Sequence, residues 1–128
     1  MRLLLDTHAF VWAVSAPAEL SRRARQLVED PSNELFVSAA SAWEISTKHR
    51  LGKFSQAEPI IEGFSFAIDR LRSTELPIGV EHAIVAGRFD QPHRDPFDRM
   101  LAAQAVIEGA ALVSRDAAFA AFPVAVEW

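Results

Sequence analysis

His93-Arg94-Asp95-Pro96-Phe97-Asp98-Arg99-Met100-Leu101-Ala102-Ala103-Gln104-Ala105 reads as a turn, a helix start and then a closely packing helix. Proline after Asp95 suits the first helical position, where a missing N–H costs nothing. Asp95 can cap that helix, and Asp98, three residues on, stands in capping-box position. Leu101, Ala102 and Ala105 then give an apolar face with small residues, which lets the helix approach a sheet closely. An acid one turn into an inward-facing helix, followed by Arg99, needs a reason beyond helix geometry.

Working outward from that helix, short apolar runs alternate with helical patterns. Residues 3–5, 35–37 and 110–114 read as buried strands, 123–126 as a last strand, and 75–78 as an edge segment because Pro77 excludes a central one. Residues 9–14 read as a buried helix, and 22–30 as a helix capped by Ser21. A third helix starts at Ser38 or Ser41 and ends at Gly52, where a left-handed cap is expected. Residues 59–71 and 80–89 read as further helices, and Gly109 stops the helix that begins at Pro96. No two-residue hairpin turn joins the strands. The fold class is therefore α/β, with a parallel central sheet of four to five strands covered by helices on both sides.

Length and composition narrow the rest. A chain of 128 residues, half of them apolar, suits one domain spanning 1–128. It has no cysteine, which excludes disulfides and thiol chemistry. No apolar run reaches the roughly 20 residues of a membrane helix, and the start lacks a signal-peptide pattern, so a cytoplasmic protein is expected. The net charge is −4, from 17 acids and 13 Lys plus Arg. Setting four acids aside for one site would leave the remainder balanced.

Four acids stand in comparable places. Asp6 follows the first strand, Asp116 follows the run Leu112-Val113-Ser114-Arg115, and Glu44 and Asp98 lie in the first turns of their helices. Parallel sheets bind ligands beyond the carboxyl ends of their strands. If those helix starts flank one sheet edge, the four carboxylates meet in one cleft, where mutual repulsion is relieved by a hard cation such as Mg2+ or Mn2+. That constellation suits metal-assisted phosphodiester hydrolysis. Each acid also has a plainer role. Asp6 and Asp116 can be helix caps, Glu44 can pair with Lys48 four residues on, and Asp98 can face the helix dipole. Asp95 is assigned to capping, His8 and His93 to solvated loops, and Trp12 and Trp43 to the core. Lys48 and Arg50 read as helix C-terminal charge.

In these motifs the sequence resembles the PIN-domain nucleases, and among them the small VapC-type toxins of toxin–antitoxin pairs. The resemblance rests on Leu4-Leu5-Asp6-Thr7-His8, on residues 38–45, on residues 93–105 and on Leu112-Val113-Ser114-Arg115-Asp116, in that order. It implies a PIN-like fold and an acidic site at Asp6, Glu44, Asp98 and Asp116, supported by Thr7 and Ser114. It further implies an endoribonuclease that uses Mg2+, with Mn2+ able to substitute, together with a cognate antitoxin that blocks the site. A homodimer is expected, with DNA reached only through the antitoxin. Arg99 and Arg115, beside two of the acids, are the candidate RNA-phosphate contacts. Two other phosphoryl-transfer folds fit less well. Asp6-Thr7-His8 lacks the second acid that a receiver domain or a haloacid-dehalogenase-like phosphatase carries there. A catalytically silent PIN-like module that binds a protein or RNA is the remaining alternative.

Overall fold

Three consecutive leucines, Leu3 to Leu5, are fully buried, as a strand must be when helices cover both faces of its sheet. In the computed structural model, which describes residues 1–128, they belong to β1 (Arg2–Leu5). The chain continues through α1 (Thr7–Ser15), α2 (Arg22–Glu29), β2 (Glu34–Ser38), α3 (Ala39–Arg50), α4 (Glu58–Glu62) and α5 (Phe64–Arg70). It closes with β3 (Thr74–Leu76), α6 (Val80–Arg88), α7 (Pro96–Glu108), β4 (Ala111–Val113) and β5 (Val126–Glu127). The five strands form one sheet in the order β3-β2-β1-β4-β5, and every neighbouring pair is parallel.

The strand alternation sends side chains to two cores. Leu3, Leu5 and Val37 pack with Phe10 of α1, Leu27 of α2 and Ile68 of α5. Leu4, Phe36 and Leu112 pack with Ala40 of α3 and with Leu101, Ala102 and Ala105 of α7. Each fully buried leucine contributes about 2 kcal/mol of stabilisation. The small face of α7 lies on the sheet as its sequence requires. Gln104 on α7 is wholly buried: its Oε1 accepts from the Ser38 hydroxyl and its amide donates to the Pro77 carbonyl at 3.2 Å. One side chain thus ties α7 to the ends of β2 and β3.

Gly52 has φ +82°, the left-handed end expected after α3, and Gly109, which stops α7 as expected, has φ +62°. Several boundaries shift by a residue or two, such as β3 over Thr74–Leu76 instead of 75–78, and two elements differ more. The helix expected over 59–71 is broken at Gly63, whose backbone (φ −110°, ψ 37°) leaves the helical region and separates α4 from α5. The closing strand is Val126–Glu127 instead of 123–126. Pro123 has no N–H for a ladder, and the Val124 N–H turns back to the Phe122 carbonyl at 2.8 Å, so pairing with β4 begins only at the Ala125 carbonyl.

Candidate active site

The loops that leave β1 and β4 stand side by side because those strands are neighbours. Asp6 ends the first loop and Asp116 the second. Asp6 caps α1, its carboxylate accepting the Ala9 N–H at 2.7 Å, and Asp116 caps a 3-10 turn over Ala117–Ala121 by accepting the Ala118 N–H at 2.9 Å. Both plain capping roles are therefore real. Both acids also line a cleft of about 280 Å3, together with His8, Trp12, Arg115 and Ala117. Ser114 accepts the Asp116 N–H at 3.0 Å, which sets the loop that carries that acid.

Glu44 comes from α3 and is only 3% exposed. The Thr7 hydroxyl donates to one of its oxygens and the Lys48 ammonium pairs with the other. The i, i+4 pair with Lys48 exists, but the carboxylate is buried beneath it and is no surface ion pair. Asp98, with its side chain 16% exposed, is met by His93 Nε2 at 2.8 Å. It does not complete a capping box. Asp95 accepts the Phe97 and Asp98 N–H groups at 2.9 and 3.3 Å, and the Asp98 carboxylate turns to His93 instead of returning to Asp95.

Burial pushes the Asp6 carboxyl above its ordinary range, against the pull of Ser114, the Ala9 N–H and His8, and Glu44 pushes it further. Burial likewise pushes Asp98 up to about 6, against the hydrogen bond from His93, with Asp95 and Glu44 adding repulsion. Asp6, Glu44 and Asp98 therefore share one electrostatic neighbourhood, and Asp116 joins it through the cleft it shares with Asp6. As the side chains are arranged, no three His, Asp or Glu groups stand together as a ready coordination set. Lys48 and His93 occupy two of the acids. The donor chemistry nevertheless fits a hard divalent cation: burial and Glu44 make Asp6 and Asp98 costly to ionise, and Asp116 shares the cleft of Asp6.

Three sequence readings are corrected here. Arg99 is not free for phosphate: its guanidinium donates to the carbonyls of Ala86 (2.9 Å), Gln91 (2.8 Å), His93 (2.9 Å) and Phe89 (2.7 Å). It staples the segment between α6 and α7. Trp43 is not core but 55% exposed, edge-on to Phe97 with ring centroids 4.6 Å apart. His93 is no solvated loop residue, since it holds Asp98. Nothing in its spacing from Asp98 announces this, because the contact depends on how the proline turn folds back. Trp12 packs partly against the core yet also faces the cleft, and its i, i+4 spacing from His8 was a usable signal.

The strand order, the burial and the acids at the sheet edge agree with one family, whose profile, that of the PIN domain, matches residues 3–125. The chain belongs to the PIN-domain family. Ribonuclease VapC22 of Mycobacterium tuberculosis is 30% identical over 114 residues, covering 89% of this chain and 86% of that protein. Ribonuclease VapC16 of the same organism is 40% identical over 72 residues, which is 56% of this chain. The match spans about half the length of VapC16 (49%). Among solved structures, VapBC2 from Rickettsia felis bound to a DNA fragment from their promoter aligns with a TM-score of 0.68 at 17% identity, covering 99% of this chain and 98% of that one. The PIN-like α/β fold expected from the sequence, and the likeness to VapC proteins, are both borne out. No helix of this PIN domain is long and apolar enough to cross a membrane.

Proposed function

We propose that this chain is the toxin of a toxin–antitoxin pair and acts in the cytoplasm, as one nuclease domain, to cut RNA with a divalent metal. The observation that carries the reading is the pair Asp6 and Asp98, both raised by burial and both repelled by the same buried Glu44. A polar cluster so expensive serves packing poorly and serves a cation well. Asp6, Glu44, Asp98 and Asp116 would hold Mg2+, or Mn2+ in its place. The bound ion would supply a nucleophilic water at neutral pH and a sink for charge on the phosphate. The chain's own groups prepare for this. The Ala9 N–H and Ser114 orient Asp6, the Thr7 hydroxyl orients Glu44, and Lys48 balances the charge of Glu44. Arg115, which has no hydrogen-bonded or ion-paired partner, is the group for an RNA phosphate.

The Rickettsia felis neighbour is a VapBC2 assembly on promoter DNA, and by analogy a cognate antitoxin covers this chain, with DNA contacted through the antitoxin. A homodimer is assigned to the outer face of α6. Val80, Ala83, Ile84 and Gly87 make an exposed apolar stripe at i, i+3, i+4, i+7, flanked by Glu81 and Arg88, neither of which has an ion-pair partner. Two copies packed antiparallel place Glu81 against Arg88 of the other. Ile84→Asp is expected to give a monomer by sedimentation. A dimer that survives this change removes the assignment.

The deciding experiment is thermal unfolding with and without millimolar Mn2+, paired with an RNA-cleavage assay, for wild type and Asp98→Asn. Mn2+ at a hundredfold over its dissociation constant is expected to add about 2.7 kcal/mol to the wild type. Neither that rise nor cleavage is expected in the variant. An unchanged melting temperature together with no cleavage in wild type would overturn the nuclease reading in favour of a silent binding module.

A further inference from the structure

The cleft beside the carboxylates has a wall that the metal reading leaves unexplained. A cation needs oxygen atoms, yet Trp12 and the exposed His8 line the same cleft, with ring centroids 5.4 Å apart. Phe54 backs His8 at 5.1 Å. Arg115 shares the cleft with Asp6 and Asp116, but its guanidinium forms no ion pair with either. It lies over the Trp12 indole, 4.5 Å from the ring centroid. A guanidinium so placed presents a flat, positively charged layer on an aromatic base. Flat layers of this kind, aromatic or guanidinium, are what unstacked nucleobases lie on. The cleft, of about 280 Å3, lies just below the usual range of ligand pockets, a size suited to a single base.

We infer that Trp12, His8 and Arg115 form a stacking subsite for one unpaired base of single-stranded RNA, next to the carboxylates. This deepens the nuclease reading and rests on it for the identity of the polymer. In the subsite the base lies on the Arg115 guanidinium, which Trp12 backs and His8 flanks, and the edge of the same guanidinium meets a phosphate of the strand. Duplex RNA is refused because its bases are already stacked on both sides and cannot enter singly. The site therefore selects for loops and unpaired ends by shape, before any phosphodiester is cut.

Binding is measured without divalent metal, by fluorescence anisotropy of a labelled single-stranded RNA hexamer of randomised sequence, on an Asp98→Asn background that leaves the RNA intact. Trp12→Leu is expected to weaken binding about tenfold and Trp12→Phe to restore it, because stacking needs a ring and not an indole. His8→Ala, at an exposed position, gives the same direction without disturbing the core. Arg115→Gln is expected to reduce the slope of log affinity against log salt by about 0.7. A hexamer made entirely of abasic nucleotides, and a hairpin without unpaired bases, are expected to bind no better than the Trp12→Leu variant binds the hexamer. Equal affinity for the abasic and the base-bearing hexamer, or unchanged binding in both Trp12→Leu and His8→Ala, would overturn the subsite. The two readings fail separately. A wild type that stacks RNA through Trp12 but never cleaves it keeps the subsite and loses the nuclease. A wild type that cleaves, with Trp12→Leu and His8→Ala binding as wild type, does the reverse.

Discussion

The two arginines that border the acidic cluster differ in what holds them. Arg99, one residue after Asp98, spends its guanidinium on four backbone carbonyls between α6 and α7. Arg115, one residue before Asp116, is held by nothing but the face of an indole. Both are cations beside a carboxylate, and by charge alone they are equivalent. The difference lies in the surrounding backbone. The segment after α6 leaves carbonyls with no helical partner, and a planar five-donor group is the one side chain that can satisfy several of them together. At Arg115 the neighbouring N–H and hydroxyl groups already serve Asp116, so the cation stays available. The two arginines are thus separated by the unsatisfied acceptors within reach.

The strongest way to break this comparison is Arg99→Ala. It leaves partly buried carbonyls without donors, and a loss of about 3 kcal/mol is expected in chemical denaturation. Arg99→Lys recovers little, since a point charge cannot span the carbonyls. A variant that unfolds like wild type would show that the staple is incidental.

Asp98 gives the next effect. Its carboxyl is raised from 3.8 to about 6, so between those values the folded form holds more protons than the unfolded one. Stability from this group is therefore present at low pH and declines as pH rises through about 6. After discounting for solvent screening, Asp98→Asn is expected to be more stable than wild type by about 1 kcal/mol at pH 8 without metal, with no difference near pH 4. Denaturation curves at both pH values check this, and a difference that grows on acidification would reverse the sign of the argument.

The smallest expected effect sharpens the comparison. Arg115→Gln should change stability by less than about 0.5 kcal/mol, because no hydrogen bond is lost, while lowering RNA affinity. A destabilisation as large as that of Arg99→Ala would mean that the cation on Trp12 is structural after all.

Much of this was readable in the chain. The first two apolar strands, Ser21 and Asp95 as caps, the left-handed end at Gly52 and the stop at Gly109 follow from local chemistry, and each is found where expected. Asp6 and Asp116 were readable because an acid just after a buried strand has few places to go. What escaped depended on tertiary partners. Arg99 needed knowledge of which carbonyls the turn leaves open, His93 needed the path of that turn, and Trp43 needed to show whether any element covers α3 at that point. The closing strand was placed too early because Pro123 was read for its apolar neighbours and not for its missing donor.

Gln104 has one more consequence. A helix that gives its amide oxygen to Ser38 and its amide N–H to Pro77 cannot slip along the sheet without orphaning polar atoms in a dry interior. The spacing between Asp98 and the strand ends is thereby fixed when the chain folds, and no later event is free to adjust it by a turn of helix. The register of α7 on the sheet is thus as much a product of one amide as of all the alanines beneath it.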